Sequence, residues 1–135
     1  MIRHPPLLRW RTFFFLATLL LIGCSKSNKE ISPVSGTVTL DGTPLAHASI
    51  TFQPKSGGRP SYGVTNDRGH YILEYSLNEL GAKIGPCTVK ITTQNRSDDG
   101  KLHSKEHVPK RYNKEAIEVE VKSKPNTIDI PLTSK

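Results

Sequence analysis

At 135 residues, 35% of them hydrophobic, the chain can close one modest core and no more. Its formal net charge of +7 is unevenly spread: Arg3, Arg9 and Arg11 precede the first acid, Glu30, and without those three the balance falls to 16 bases against 12 acids, or +4. That excess is too small to point to nucleic acid, and two cysteines, Cys24 and Cys87, exclude a disulfide-dense fold.

The first element has the layout of an export signal: the three arginines, then an uncharged apolar run from Phe13 to Ile22. That run is about half the roughly 20 residues a membrane-spanning helix needs. Leu21-Ile22-Gly23-Cys24 follows it and resembles the lipobox of bacterial lipoproteins. The resemblance implies removal of residues 1–23 by cleavage between Gly23 and Cys24, with Cys24 becoming a diacylglyceryl-modified N-terminus. Several acyl chains on one residue hold a protein stably at a membrane, where a single chain does not. If Cys24 is acylated, Cys87 is left alone and the domain must be held by packing.

Residues 24–32 are polar and without apolar period, which predicts a flexible tether. From Pro33 the apolar period becomes two, the signature of strands. Val34, Val38 and Leu40 share one face, and Asp41-Gly42-Thr43-Pro44 is a turn. Ala48 to Pro54 alternates, Lys55 to Pro60 is a loop, and Ser61 to Thr65 is a short strand. After the turn Asn66-Asp67-Arg68-Gly69, residues Tyr71, Leu73 and Tyr75 alternate. Ser76 to Ile84 has a weak period and is expected as an exposed connection, with one helical turn at most. Cys87, Val89 and Ile91 form the core face of the next strand; Gln94 to Lys114 is a long polar loop; Ile117 to Val121 and Ile128 to Leu132 are the last two strands. The expectation is an all-β antiparallel sandwich of about seven strands over residues 33–135. Pro131 marks the last strand as an edge, since proline cannot donate to a ladder.

Val34-Ser35-Gly36-Thr37-Val38 with Asp41-Gly42-Thr43-Pro44-Leu45-Ala46-His47-Ala48, then Thr65-Asn66-Asp67-Arg68-Gly69-His70-Tyr71 and Gly85-Pro86-Cys87-Thr88-Val89, resemble the strand and turn motifs of carboxypeptidase regulatory-like domains. Val108-Pro109-Lys110-Arg111-Tyr112-Asn113 is similar to a loop segment of small bacterial lipoproteins that carry this domain alone. The resemblance implies a transthyretin-like (prealbumin-like) fold and a non-catalytic envelope protein. One transthyretin-like branch hydrolyses 5-hydroxyisourate and ends in Tyr-Arg-Gly-Ser; this chain ends Pro131-Leu132-Thr133-Ser134-Lys135, so that activity is not carried over.

Of the residues with reactive side chains, His103 and His107 have a metal-ligand spacing if helical, but Pro109 and the lysines around them argue for solvated loop positions. Asp98-Asp99-Gly100 lacks the further oxygen ligands of a calcium loop. Asp67 and His70 lack a serine placed to complete a triad. Cys87 falls on a core face, where a thiol acts as a small hydrophobe. No cofactor or metal is therefore expected. The surplus lies in the 94–114 loop, where Arg96, Lys101, Lys105, Lys110 and Arg111 are the candidate ligand residues, for anionic headgroups, an envelope glycan or an envelope protein. The expected role is a membrane-anchored, non-catalytic binding or structural module of the cell envelope, at the outer membrane where there is one, because Ser25 replaces the Asp of the inner-membrane sorting rule. The competing readings are a hydrolase or metal-dependent enzyme using the loop histidines, and a subunit pairing through an edge strand.

Overall fold

The computed structural model describes residues 29–135. Gly23, Cys24 and the signal run lie outside the described residues. The longer strands follow the alternation and shorter ones join them: β1 Ile31–Ser32, β2 Val34–Leu40, β3 Thr43–Pro44, β4 Ser49–Pro54, β5 Ser61–Val64, β6 His70–Ile72, β7 Glu74–Ser76, β8 Glu79–Leu80, β9 Ala82–Lys83 and β10 Gly85–Thr92. A single helical turn, α1 Arg111–Lys114, precedes β11 Ile117–Val121, β12 Asn126–Thr127 and β13 Ile130–Leu132.

Two sheets face each other. One runs β11-β10-β4-β5-β7-β8, and the other is built on β2, with β12 and β13 on one flank and β3 and β6 on the other. Each strand buries alternate residues: Val34 and Val38 from β2, Ile50 and Phe52 from β4, Cys87, Val89 and Ile91 from β10, Ile130 and Leu132 from β13. Phe52 of one sheet meets Tyr71 of the other at 6.3 Å between ring centroids, in a tilted pair that locks the layers. The all-β sandwich expected from the alternation is the fold observed.

The finer pattern departs from seven unbroken strands for identifiable reasons. The segment 70–76 pairs first with β2 and then with β5, switching sheets at the fully buried Leu73. Gly63 allows the crossing, because a Cβ there would stand 2.8 Å from the Ile72 carbonyl oxygen. The last strand breaks at Ile128, and Gly36 opposite it has no room for a side chain: a Cβ would fall 1.9 Å from the Ile128 oxygen. The Tyr71 hydroxyl donates to that same oxygen at 2.6 Å, and the Asp129 carboxylate accepts from the Thr37 N–H at 2.9 Å where the ladder is interrupted. β12 and β13 also run parallel to β2, whereas the other pairs are antiparallel. The parallel pairing arises because the chain leaves β11 in the first sheet, crosses at Lys122–Pro125, and enters the second sheet at the end where β2 begins. Pro131 does lie in the edge strand of that sheet among the described residues.

Two expectations are corrected. The tether does not extend to Ser32: Ile31 and Ser32 are buried and pair with Lys83 and Ala82, so the folded domain starts before Pro33. Ser76–Ile84 is neither a helical turn nor a plain connection but a hairpin followed by β9. Its partner strand β1 comes from the polar N-terminal segment, which carries only one apolar residue, Ile31, as a signal.

Candidate functional site

The strand order gives the sandwich two unlike ends. The proximal end, where the chain arrives from residue 28, gathers β1, the Lys55–Pro60 loop, the Leu77-Asn78 turn and the Lys122–Pro125 crossing. The distal end lies about 26 Å away, the length of the eight-residue β10. It gathers the 41–48 and 65–69 turns, the 93–116 segment and the C-terminal residues.

At the distal end Thr65 is fully buried between two turns: its hydroxyl donates to the Leu45 carbonyl at 2.6 Å and accepts from the Ala48 N–H at 2.8 Å. The Asn66 side chain accepts from the N–H groups of Arg68 and His70 at 2.9 and 3.0 Å, as a turn asparagine is suited to do. Asp67 has a different partner, the His47 ring at 3.0 Å, and both side chains are well exposed.

The 93–116 segment is not the free loop its polarity implies. Glu106 straps it to the end of β10. Glu106 Oε1 accepts from the Thr93 N–H at 2.9 Å and the Val108 N–H at 3.0 Å, and Oε2 accepts from the Thr92 hydroxyl. The Thr93 hydroxyl sits between Glu106 Oε1 at 2.9 Å and the Lys105 carbonyl at 3.0 Å, with one proton to serve either, and accepts from the His107 N–H at 2.7 Å. Partial burial pushes the Glu106 carboxyl upward, but the hydrogen bonds from Thr92, Thr93 and Val108 outweigh it and leave the group below its ordinary value. Val108, buried behind this strap, plugs the distal end of the core.

Arg111 and Tyr112 form a second clasp. The Arg111 guanidinium lies 4.8 Å from the Tyr112 ring centroid and donates to the Thr133 and Lys135 main-chain oxygens. The Tyr112 hydroxyl accepts from the Thr133 N–H at 3.0 Å. The Asp41 carboxylate accepts from the Ser134 N–H at 2.9 Å, and hydrogen bonding to Ser134 holds its carboxyl low.

These contacts sort the candidate ligand residues. Arg111 commits its donors within the chain. Arg96 is exposed and bridges to Leu102 through the backbone, Lys101 pairs with Asp99 at 3.6 Å, and Lys105 and Lys110 point into solvent. Between α1 and the solvent face of β4 and β10 runs a groove of about 470 Å³, lined by the hydroxyls of Ser49, Thr51, Thr88 and Thr92, with Lys90 and Asn113 beside them. Neither the strap nor this groove was singled out by the sequence. The available signal was a lone Glu among lysines two residues before the only Val-Pro of the loop.

The histidines do not converge. Residues 103–107 are not helical, and no cluster of three or more His, Cys, Asp or Glu forms among the described residues. His103 Nε2 does reach the Ser97 hydroxyl at 2.6 Å, but that hydroxyl gives its proton to Asp99. His103 must therefore donate to Ser97, the reverse of the general base a serine nucleophile needs. Ser61, buried without a hydrogen-bond partner among the described residues, stands at the opposite end of β5 from Asp67 and His70. Cys87 is fully buried, and burial raises its thiol above the ordinary value, which leaves it unreactive.

No family model matches the chain, and no curated protein matches it. Among solved structures, the crystal structure of BcpA, the major pilin subunit of Bacillus cereus, is similar with a TM-score of 0.46 and 14% identity. The similarity covers 76% of this chain and 29% of that one, so the chain spans under a third of its length. A likeness of that size leaves the functional reading to the site itself.

Proposed function

We propose that this protein is a lipid-anchored, non-catalytic module of the cell envelope that presents its distal end to an envelope glycan or protein. Cys24 is the attachment residue, and the domain is of the carboxypeptidase regulatory-like kind. One observation carries the reading. The chain that leads back to Cys24 leaves at one end of the sandwich, while the strapped 93–116 segment stands at the other and the hydroxyl-lined groove runs from it along the outer face of β4 and β10. Hydroxyls, an amide and flanking lysines in a half-open groove suit a polar, uncharged or acidic ligand such as a glycan. The basic segment is thus aimed away from the membrane, which replaces headgroup binding by this loop with recognition at a distance. Intact-mass analysis of membrane-extracted protein should give a chain beginning at Cys24 with acyl mass; an unmodified N-terminus refutes the anchor. A glycan array probed with the same protein should show binding that is lost in Lys90→Ala with Asn113→Ala, and an array without signal refutes the glycan reading.

A second reading is favoured by the edge position of β13: its outer flank is free among the described residues and would accept a strand from another chain. Crosslinking in intact cells that returns monomer alone removes it.

A further inference from the structure

The proximal end carries its own surface, separate from the groove. At this end stand the exposed Lys29, Lys55, Arg59, Lys122 and Lys124, with the half-buried Lys83 of β9. Hydrogen bonds knit this end together: the Ile84 N–H donates to the Glu30 carbonyl at 2.8 Å, the Lys55 N–H to the Pro86 carbonyl at 2.9 Å, and the Ser32 hydroxyl to the Lys124 carbonyl at 2.8 Å. Lys55 is neutralised by Glu118, but the other five cations form no ion pair with a described residue. Glu30, Glu79 and Glu120 stand at the same end and leave the cations in excess there. At the same end Leu77 is 99% exposed in the turn of the β7–β8 hairpin. A wholly exposed apolar residue at the same end of the sandwich as these cations suits the boundary between headgroups and acyl chains.

We propose that this end docks on an anionic lipid bilayer, with the cations against the headgroups and Leu77 inserted between them. The proposal rests on the lipid-anchor reading, because the anchor supplies the proximity. From Cys24 to Glu30 the chain can span at most roughly 20 Å, so the cations start within a few Debye lengths of about 8 Å from the surface. Folding Ile31 into the sheet shortens the tether and removes the freedom to stand far off. The domain then stands upright, with the 93–116 segment at the end away from the bilayer.

The test uses the full lipidated chain reconstituted into vesicles of phosphatidylcholine alone or of an equal mixture with phosphatidylglycerol. A polarity-sensitive dye is placed at Leu77→Cys or, as a control, at Asp98→Cys in the distal segment; Cys87 is buried and does not react. Emission from position 77 should shift to the blue only in the anionic vesicles, and position 98 should not respond. Each cation near such a surface contributes about fivefold, so Lys83→Gln, Lys122→Gln and Lys124→Gln together should lower the docked fraction relative to the undocked by about a hundredfold. Emission at position 77 that ignores lipid charge overturns the docking while the acyl mass leaves the anchor standing. An equal response at position 98 overturns it as unspecific adsorption. A shift that follows protein density instead of lipid charge assigns the face to a second copy and also overturns it. A chain without acyl mass that fails to float with vesicles removes the anchor, and the docking with it.

Discussion

The two ends of this sandwich solve the same problem with different chemistry. The proximal end closes with backbone and uncharged side chains: β1 pairs with β9, short loops donate N–H groups to neighbouring carbonyls, and the Asn126 amide and Ser32 hydroxyl hold the crossing at 122–125. The distal end closes with side chains, because the 93–116 segment is too long and too polar to be held by a ladder; Glu106, Arg111 and Asp41 fasten it and the C-terminal residues instead. Lysines are plentiful at both ends, but the fastening matters more than the count. Where backbone and uncharged side chains do the closing, charges stay free for a partner. Where side chains do it, charges such as Glu106 and Arg111 are consumed, and what is left for a ligand is a groove of hydroxyls.

The largest effect should come from the feature that both ends share. Gly36→Ala puts a methyl 1.9 Å from the Ile128 oxygen, which also accepts from Tyr71. The last strand must move off β2 or lose the Tyr71 hydrogen bond, costing about 3 kcal/mol as overpacking added to a lost buried bond. Denaturant melts should show it, and a midpoint equal to wild type would mean that the strand break at Ile128 tolerates displacement.

Next in size is the distal strap. Glu106→Ala removes the acceptor for Thr92, Thr93 and Val108 and should cost about 1.5–3 kcal/mol. Hydrogen exchange should then rise in residues 93–108 and stay unchanged in β1 and β9; uniform acceleration would contradict a strap local to one end. Acid should act on the same group. Its carboxyl is held below the ordinary 4.5, so its contribution is complete above that pH and is lost as pH falls through the lower folded value. The expected outcome is exchange at Thr93 and Val108 that quickens below pH 4.5 in wild type but not in Glu106→Ala.

Much of the sandwich was legible because burial on one face writes a period of two: Val34, Val38 and Leu40, or Cys87, Val89 and Ile91, cannot be read another way. The turns at Gly42 and Gly69 were legible too, and Gly69 proves doubly constrained, by a φ of +74° and by the Val38 oxygen beside it. The missed parts are those in which the signal is not local. β1 and β9 are two residues each, too short for a period. Gly36 reads as an ordinary strand residue until Ile128, far along the chain, is brought against it. The Glu106 strap depends on Thr92 and Thr93 across a loop, and a polar run gives no sign of which acid will be used. Among the candidate ligand residues, Arg111 has partners of the same non-local kind, Thr133 and Lys135.

The smallest effect is the most discriminating. If the proximal cations are free, neutralising Lys83, Lys122 and Lys124 together should change stability by no more than about 0.5 kcal/mol, the range for surface substitutions outside any network. Lys83 is the one to watch, as its ammonium lies 3.5 Å from the Gly57 carbonyl. A loss well beyond that range, measured by denaturant melts of the triple variant, would show that the proximal lysines also serve as fasteners. The contrast between the ends would then fail, and weaker docking in the same variant would no longer report on lipid charge. A melt that superimposes on wild type keeps the two ends distinct: one held by backbone and neutral side chains with charges to spare, the other held by its charges.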